Sequence, residues 1–205
     1  PKCQKSNIVN RVIGITGLIG SGKSSVSNEF VKLGYKLLDA DSIVKDAQKA
    51  DGYLYSKILK LFKNYDILDN SNNLNRNKIR EIILNDQSLD TSLKLITHKY
   101  VYSYIYEEIF KNPNNKYVLD VPLLFESNIN EICDKVLLVK CSDEVLIERL
   151  TKRNTTPLEE ALKFKENQLA KLDLSRIDFI IENNGSFHEL ENIVKNLVNT
   201  FIDKV

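Results

Sequence analysis

The most specific chemistry in the chain is carried by the stretch Gly17-Leu18-Ile19-Gly20-Ser21-Gly22-Lys23-Ser24. It follows the pattern G-x-x-x-x-G-K-S/T, and Ser25 adds a second hydroxyl directly after it. Glycines at 17, 20 and 22 let the backbone curl so that successive N–H groups converge on a phosphate, with Ser21 between them. A helix opening after Gly22 adds the positive end of its dipole. Lys23 supplies a mobile cation for β- and γ-phosphates, and the Ser24 hydroxyl suits Mg²⁺. The pattern names a ligand, a nucleoside triphosphate. By itself it names no reaction.

Other residues carry candidate roles toward a reaction. Asp39 and Asp41 flank Ala40 in "LLDAD". An extended spacing of two would put both acids on one face, whereas a helix starting at Asp39 would spread them. Either acid could accept a hydroxyl proton or organise Mg²⁺, and either could simply cap the helix that follows. Asp39 is the candidate metal ligand beside Ser24. Asp120 is a further candidate for the outer shell of the metal. Arg149 and Arg153 lie four apart and share a helix face, ahead of the loop "NTTP". They read either as a lid's arginines, closing over phosphate, or as a solvated basic face. His98 and His188 each stand alone, as structural histidines commonly do. Arg76 opens a helix after a polar loop and could bind an anion. The tyrosine-rich "YVYSYIY" reads as packing rather than a stacking platform.

These residues need a scaffold. "VIGIT" is a short apolar run stopped by glycine, as a buried strand is. Val26, Phe30 and Leu33 then recur at helical spacing up to Gly34. "YKLLDAD", "KYVLDV", "KVLLVKC" and "DFIIE" read as further strands. Helices are predicted over residues 53–63, 76–84 and 87–110, from 142 through 153, from "TPLEE" onward, and over 187–202. Thr156 would cap the "TPLEE" helix, with Pro157 at its first position and Glu159 completing a capping box. "YVYSYIY" alternates with period two, which argues strand, yet its flanks are helical and no turn separates them; helix is predicted. "NYDILDNSNNLN" is a polar loop. Apolar strands alternating with helices predict an α/β fold, a parallel sheet covered by helices on both faces. The glycine loop, "DAD" and "VPLLFE" all follow strands, so they gather at one sheet edge.

Composition narrows the class. The 205 residues are 42% hydrophobic and 28% charged, with net charge +1, which suits a globular chain and gives no field directed at nucleic acid or an anionic membrane. The longest nearly apolar run, Val12 to Gly20, is far short of the roughly 20 residues of a membrane span. Cys3, Cys133 and Cys141 form no C-x-x-C pair and predict free thiols in a reducing cytoplasm. "NKIR" lacks the acid of a guanine-binding N-K-x-D, and no D-x-x-G occurs. A small-molecule kinase is the expected class.

Taken in order, "GITGLIGSGKSSV", "LLDADSIV", "LNRNKIR", "THK", "VLDVPLLFES", "CDKVLLV", "ERLTKR" and "DFIIENNG" resemble the dephospho-CoA kinase family, from about Arg11 to Leu197. The resemblance implies transfer of the γ-phosphate of ATP to the 3′-hydroxyl of dephospho-CoA with Mg²⁺, giving CoA and ADP, by a cytoplasmic monomer. It implies a P-loop NTPase core (about 11–40, 116–150 and 176–205), a helical CoA-binding region (about 41–115) and a small lid (about 151–175). It implies that Gly17, Gly20, Ser21, Gly22, Lys23, Ser24 and Ser25 hold the nucleotide phosphates, with Asn183 near adenine. Asp41 is the implied base, and Lys23, Arg149 and Arg153 join it in catalysis. Asp41, Arg76, His98, Pro122, Leu123 and Glu126 match substrate-side motifs. The chain departs from the family at Leu18, where glycine is usual, at Ser25, where threonine is usual, and at Lys99, where proline usually follows the histidine. Another small-molecule or nucleotide kinase, or a nucleotide-binding module without transferase activity, are the alternatives.

Overall fold

The computed structural model describes residues 11–121, 124–125, 127–153, 158–170 and 172–202. The strands are β1 (Val12–Gly17), β2 (Lys36–Asp39), β3 (Tyr117–Asp120), β4 (Lys135–Lys140) and β5 (Phe179–Glu182). Among the described residues the α-helices are α1 (Lys23–Lys32), α2 (Ala40–Ala47), α3 (Tyr53–Leu61), α4 (Arg76–Asn85), α5 (Gln87–Lys111), α6 (Asp143–Arg153), α7 (Leu158–Ala170) and α8 (Phe187–Leu197). The chain divides into two compact units, Pro1–Leu38 with Asn112–Val205, and Asp39–Lys111.

The first unit is built on a five-stranded sheet in the order β2-β3-β1-β4-β5. β1 runs parallel to β3 and to β4, and β4 runs parallel to β5. Every residue of β1 is buried, which is why it reads as a nearly continuous apolar run, with Thr16 its one polar side chain. Ile13 and Ile15 on one face pack with Val26 and Phe30 of α1 and with Leu190 and Val194 of α8. On the other face Gly14 lies close to Leu124 and Cys133. The register sets Ile15 against Asp120 and Gly17 against Val139, so the ends of β3 and β4 flank the start of the glycine loop.

α8 opens with a capping box between Ser186 and Glu189. The helix predicted to Ile202 stops at Leu197 and continues as a π-helical turn over Val198–Ile202. The wider turn keeps Val198 and Ile202 in the same core cluster as Val194.

The second unit is helical. Leu54, Ile58, Phe62 and Ile79 form its core, and Leu89, Leu93 and Ile96 of α5 pack onto it. The polar loop after α3 is organised by Asp69, whose carboxylate accepts from the Ser71 and Asn73 N–H groups. α5 runs unbroken for 25 residues through "YVYSYIY". A period-two alternation repeats at i and i+4, and a helix turns that repeat into side-chain ladders. Tyr102, Tyr106 and Phe110 stack in this way at centroid spacings of 6.3 Å. Lys99 keeps its backbone N–H, which a proline at that position would not.

Among the described residues no helix is long and apolar enough to cross a membrane. The predicted cap of α7, Thr156 with Pro157, lies outside the described residues, as do Cys3, Pro122, Leu123 and Glu126.

Candidate active site

The loop between β1 and α1 takes the shape its glycines permit. Gly20 and Gly22 have φ of 68° and 84°, left-handed values that side chains strain against. A Cβ at Gly22 would also lie 2.3 Å from the Asn183 amide. Inside the loop, the Leu18 N–H donates to the Val139 carbonyl and the Ser21 N–H to the Leu18 carbonyl. Leu18 is buried, so its side chain is taken up by the core and leaves the loop's rim. The N–H groups of Gly20, Gly22, Lys23 and Ser24 have no acceptor among the described residues. Consecutive unengaged N–H groups at a helix N-terminus make an anion site. The Ser21 hydroxyl is buried and has no partner among the described residues. Ser24 is exposed.

Lys23 is paired with Asp120, the last residue of β3, whose second oxygen accepts from the Ser27 hydroxyl at 3.2 Å. Ser27 sits one helical turn after Lys23, so α1 supplies both groups that meet this buried acid. Asp120 thus stands beside the loop lysine.

The back of the loop is held by residues distant in sequence. Arg149 on α6 donates to the Gly20 carbonyl at 2.9 Å and to the Asn183 carbonyl at 3.0 Å. The Asn183 amide donates to the Ser21 carbonyl at 2.8 Å. Asn183 follows β5 and is buried. These bonds join four predicted site residues, Gly20, Ser21, Arg149 and Asn183. Arg149 spends its guanidinium on backbone carbonyls and is no solvated surface charge. Arg153 closes α6, four residues on.

In the second unit, Asp39 and Asp41 do not share a strand face. α2 starts at Ala40, directly after β2, so the chain turns helical between the two acids and spreads them. Asp39 is the N-cap: one carboxylate oxygen accepts from the Asp41 N–H at 3.0 Å and the other from the Ser42 hydroxyl at 2.8 Å. Asp41 is in the first turn of α2 and exposed. Arg76 opens α4 and reaches the Gln48 side chain at 3.4 Å. His98 is half-buried within α5. A groove of about 640 Å³ between α3 and α5 is lined by Tyr53, Lys57, Lys99, Tyr100 and Tyr104, among others, and not by His98.

Neither described cysteine is poised to react. Burial pushes the Cys133 thiol up to about 12, helped by the nearby Asp134 and Asp178 carboxylates. Burial also raises Cys141, against the opposing pull of Arg149.

One contact was beyond sequence reasoning. Gln168 on α7 accepts from the Ile19 N–H at 2.8 Å, across 149 positions. A glutamine on a polar helix carries no local signal of that partner.

A parallel sheet whose first strand ends in such a loop, with a lysine, a helix N-terminus and a neighbouring strand-end acid, defines the class of P-loop phosphotransferases. Comparison with known proteins narrows this. The chain belongs to the dephospho-CoA kinase family, whose model matches residues 11–189. It is 36% identical over 191 residues to the dephospho-CoA kinase of Fusobacterium nucleatum, covering 92% of this chain and 97% of that protein. The fold is similar to that of TT1252 from Thermus thermophilus, with a TM-score of 0.74 and 27% identity, covering 93% of this chain and 97% of that one. It is also similar to that of the dephospho-CoA kinase from Campylobacter jejuni, with a TM-score of 0.68 and 24% identity over 92% and 96% of the two chains.

Proposed function

We propose that the chain transfers the γ-phosphate of ATP to the 3′-hydroxyl of the dephospho-CoA ribose, giving CoA and ADP. Family membership over residues 11–189 is the observation that carries this reading. The unengaged N–H groups of Gly20, Gly22, Lys23 and Ser24 suit the donor half of such a site.

Each residue then has a task. The N–H groups of Gly20, Gly22, Lys23 and Ser24, with the Ser21 and Ser25 hydroxyls, hold the donor's phosphates. Lys23 leaves Asp120 to meet the charge that builds on the β- and γ-phosphate oxygens. Arg149 and Asn183 keep the loop in register, and Asn183 stands on the adenine side. Arg153 adds positive charge from the lid. Asp41 takes the proton of the 3′-hydroxyl as its oxygen bonds the γ-phosphorus and the bond to the β-phosphate oxygen breaks. Arg76, His98, Pro122, Leu123 and Glu126 serve the dephospho-CoA side.

The donor set fits Mg²⁺. Ser24 offers an exposed hydroxyl and Asp120 a carboxylate, both hard oxygen ligands. Among the described residues no group of three or more His, Cys, Asp or Glu side chains forms a metal cage, as suits an ion shared with phosphates. When bound, the ion would neutralise charge on the β- and γ-phosphates. Because both oxygens of Asp39 serve its cap, Asp120 is the better candidate to support Ser24. We further propose a cytoplasmic monomer acting on small molecules, without nucleic-acid or membrane partners.

The test is ADP release with ATP, Mg²⁺ and a panel of acceptors. Release should require dephospho-CoA. Turnover with a nucleoside acceptor and none with dephospho-CoA would overturn the assignment.

A further inference from the structure

The outer corner of the phosphate-binding loop is pinned by side chains of opposite polarity from two helices. Arg149 on α6 donates to the Gly20 carbonyl, and Gln168 on α7 accepts from the Ile19 N–H at 2.8 Å. The neighbouring Leu18 and Ser21 N–H groups are satisfied by backbone carbonyls of β4 and of the loop itself. Ile19 differs, because its acceptor is a side chain from the span read as a lid.

Gln168 does not make this contact alone. Leu162 of α7 packs against Leu146 and Leu150 of α6 in the cluster that also takes in Ile19. Lys165 of α7 pairs with Asp143 at the start of α6. Residues 162, 165 and 168 recur at a spacing of three, so they share one side of α7. That side gives an apolar contact, an ion pair and a hydrogen bond in turn, the last of them on the loop.

We propose that Gln168 is a positioning residue, a latch through which the seating of α7 sets the corner at Ile19 and thereby the donor affinity of the N–H groups of Gly20, Gly22, Lys23 and Ser24. This rests on reading the loop as the ATP site. The latch takes no N–H group from that set, so it supports donor binding and does not compete with it. A neutral amide suits the task. An apolar isostere would leave the Ile19 N–H without its acceptor, and a carboxylate would set negative charge beside a loop that must receive a triphosphate.

The test is calorimetric titration of Mg·ATP into the wild-type chain, Gln168→Met and Gln168→Glu, with thermal unfolding of each nucleotide-free protein and steady-state kinetics. Gln168→Met should weaken ATP binding about five- to tenfold, the scale of one lost hydrogen bond. KM for the acceptor should not change, and the unfolding midpoint should stay within about 2 °C. Gln168→Glu should also bind ATP more weakly, but its deficit should shrink with added salt, whereas that of Gln168→Met should not. An unchanged ATP affinity in Gln168→Met would overturn the latch, and so would a lowered midpoint with unchanged affinity, which marks a merely structural tie. Calorimetry needs no acceptor, so a wild-type chain that binds ATP but ignores dephospho-CoA would sink the assigned activity and leave this comparison standing.

Discussion

Lys23 and Asp120 neutralise one another at the end of β3, with the Lys23 side chain 19% and the Asp120 side chain 9% exposed. The loop cation is therefore held by the acid that ends β3. Lys23→Met leaves that acid largely buried with only the Ser27 hydroxyl. It should cost about 1–3 kcal/mol in denaturant unfolding, as an orphaned buried charge does. The double variant Lys23→Met/Asp120→Leu should recover much of the stability while remaining inactive. If the double variant were as unstable as the single, the pair would not be the source of the loss.

Asp39 and Asp41 should separate cleanly. Asp39→Asn keeps a cap acceptor and should unfold like the wild type, whereas Asp39→Ala should lose about 1 kcal/mol. Asp41→Asn should keep ATP affinity and lower turnover by about a hundredfold or more, the scale of a general base. Equal losses of turnover in Asp39→Asn and Asp41→Asn would refute the division of labour.

Arg149 spans two carbonyls with one guanidinium. A lysine ammonium lacks that fork. Arg149→Lys should weaken ATP binding about tenfold despite its retained charge, because one of the two charge-assisted bonds is lost. Titration calorimetry against the wild type measures this directly. A Kd within twofold of wild type would show that charge alone suffices.

The Cys133 thiol is raised from its ordinary 9.0 to about 12 by burial. The unfolded chain gives up this proton near pH 9 while the folded chain keeps it. Stability from this group is therefore intact below pH 9 and falls as pH rises toward 12, by about 1.4 kcal/mol per pH unit. Cys133→Ala should be less stable at pH 7, for its lost packing, yet show a shallower alkaline decline than the wild type. Parallel declines in urea unfolding from pH 8.5 to 10.5 would contradict the burial of this thiol.

Much of the first unit was legible because its signals are local. A buried strand, a glycine loop and an amphipathic helix follow one another between residues 12 and 33, and each needs only its own neighbours to be recognised. α5 was harder, since "YVYSYIY" satisfies both a strand's period and a helix's i,i+4 ladder; the stacked Tyr102, Tyr106 and Phe110 show which one the chain uses. The same limit applied at "DAD", where the choice between a shared face and a cap turned on where β2 gave way to α2.

By itself, then, the sequence determined the phosphate-binding loop, the alternation of strands and helices, and the order of motifs that marks the family. Only the tertiary structure decided what those residues hold. It joined Lys23 to Asp120 across 97 positions, Arg149 to Gly20 across 129 and Gln168 to Ile19 across 149. Two of these bonds end on backbone groups, which every residue carries alike, so no residue type at the far end betrays them. The parallel sheet brings the partners together, because its strands end at one edge whatever their distance along the chain.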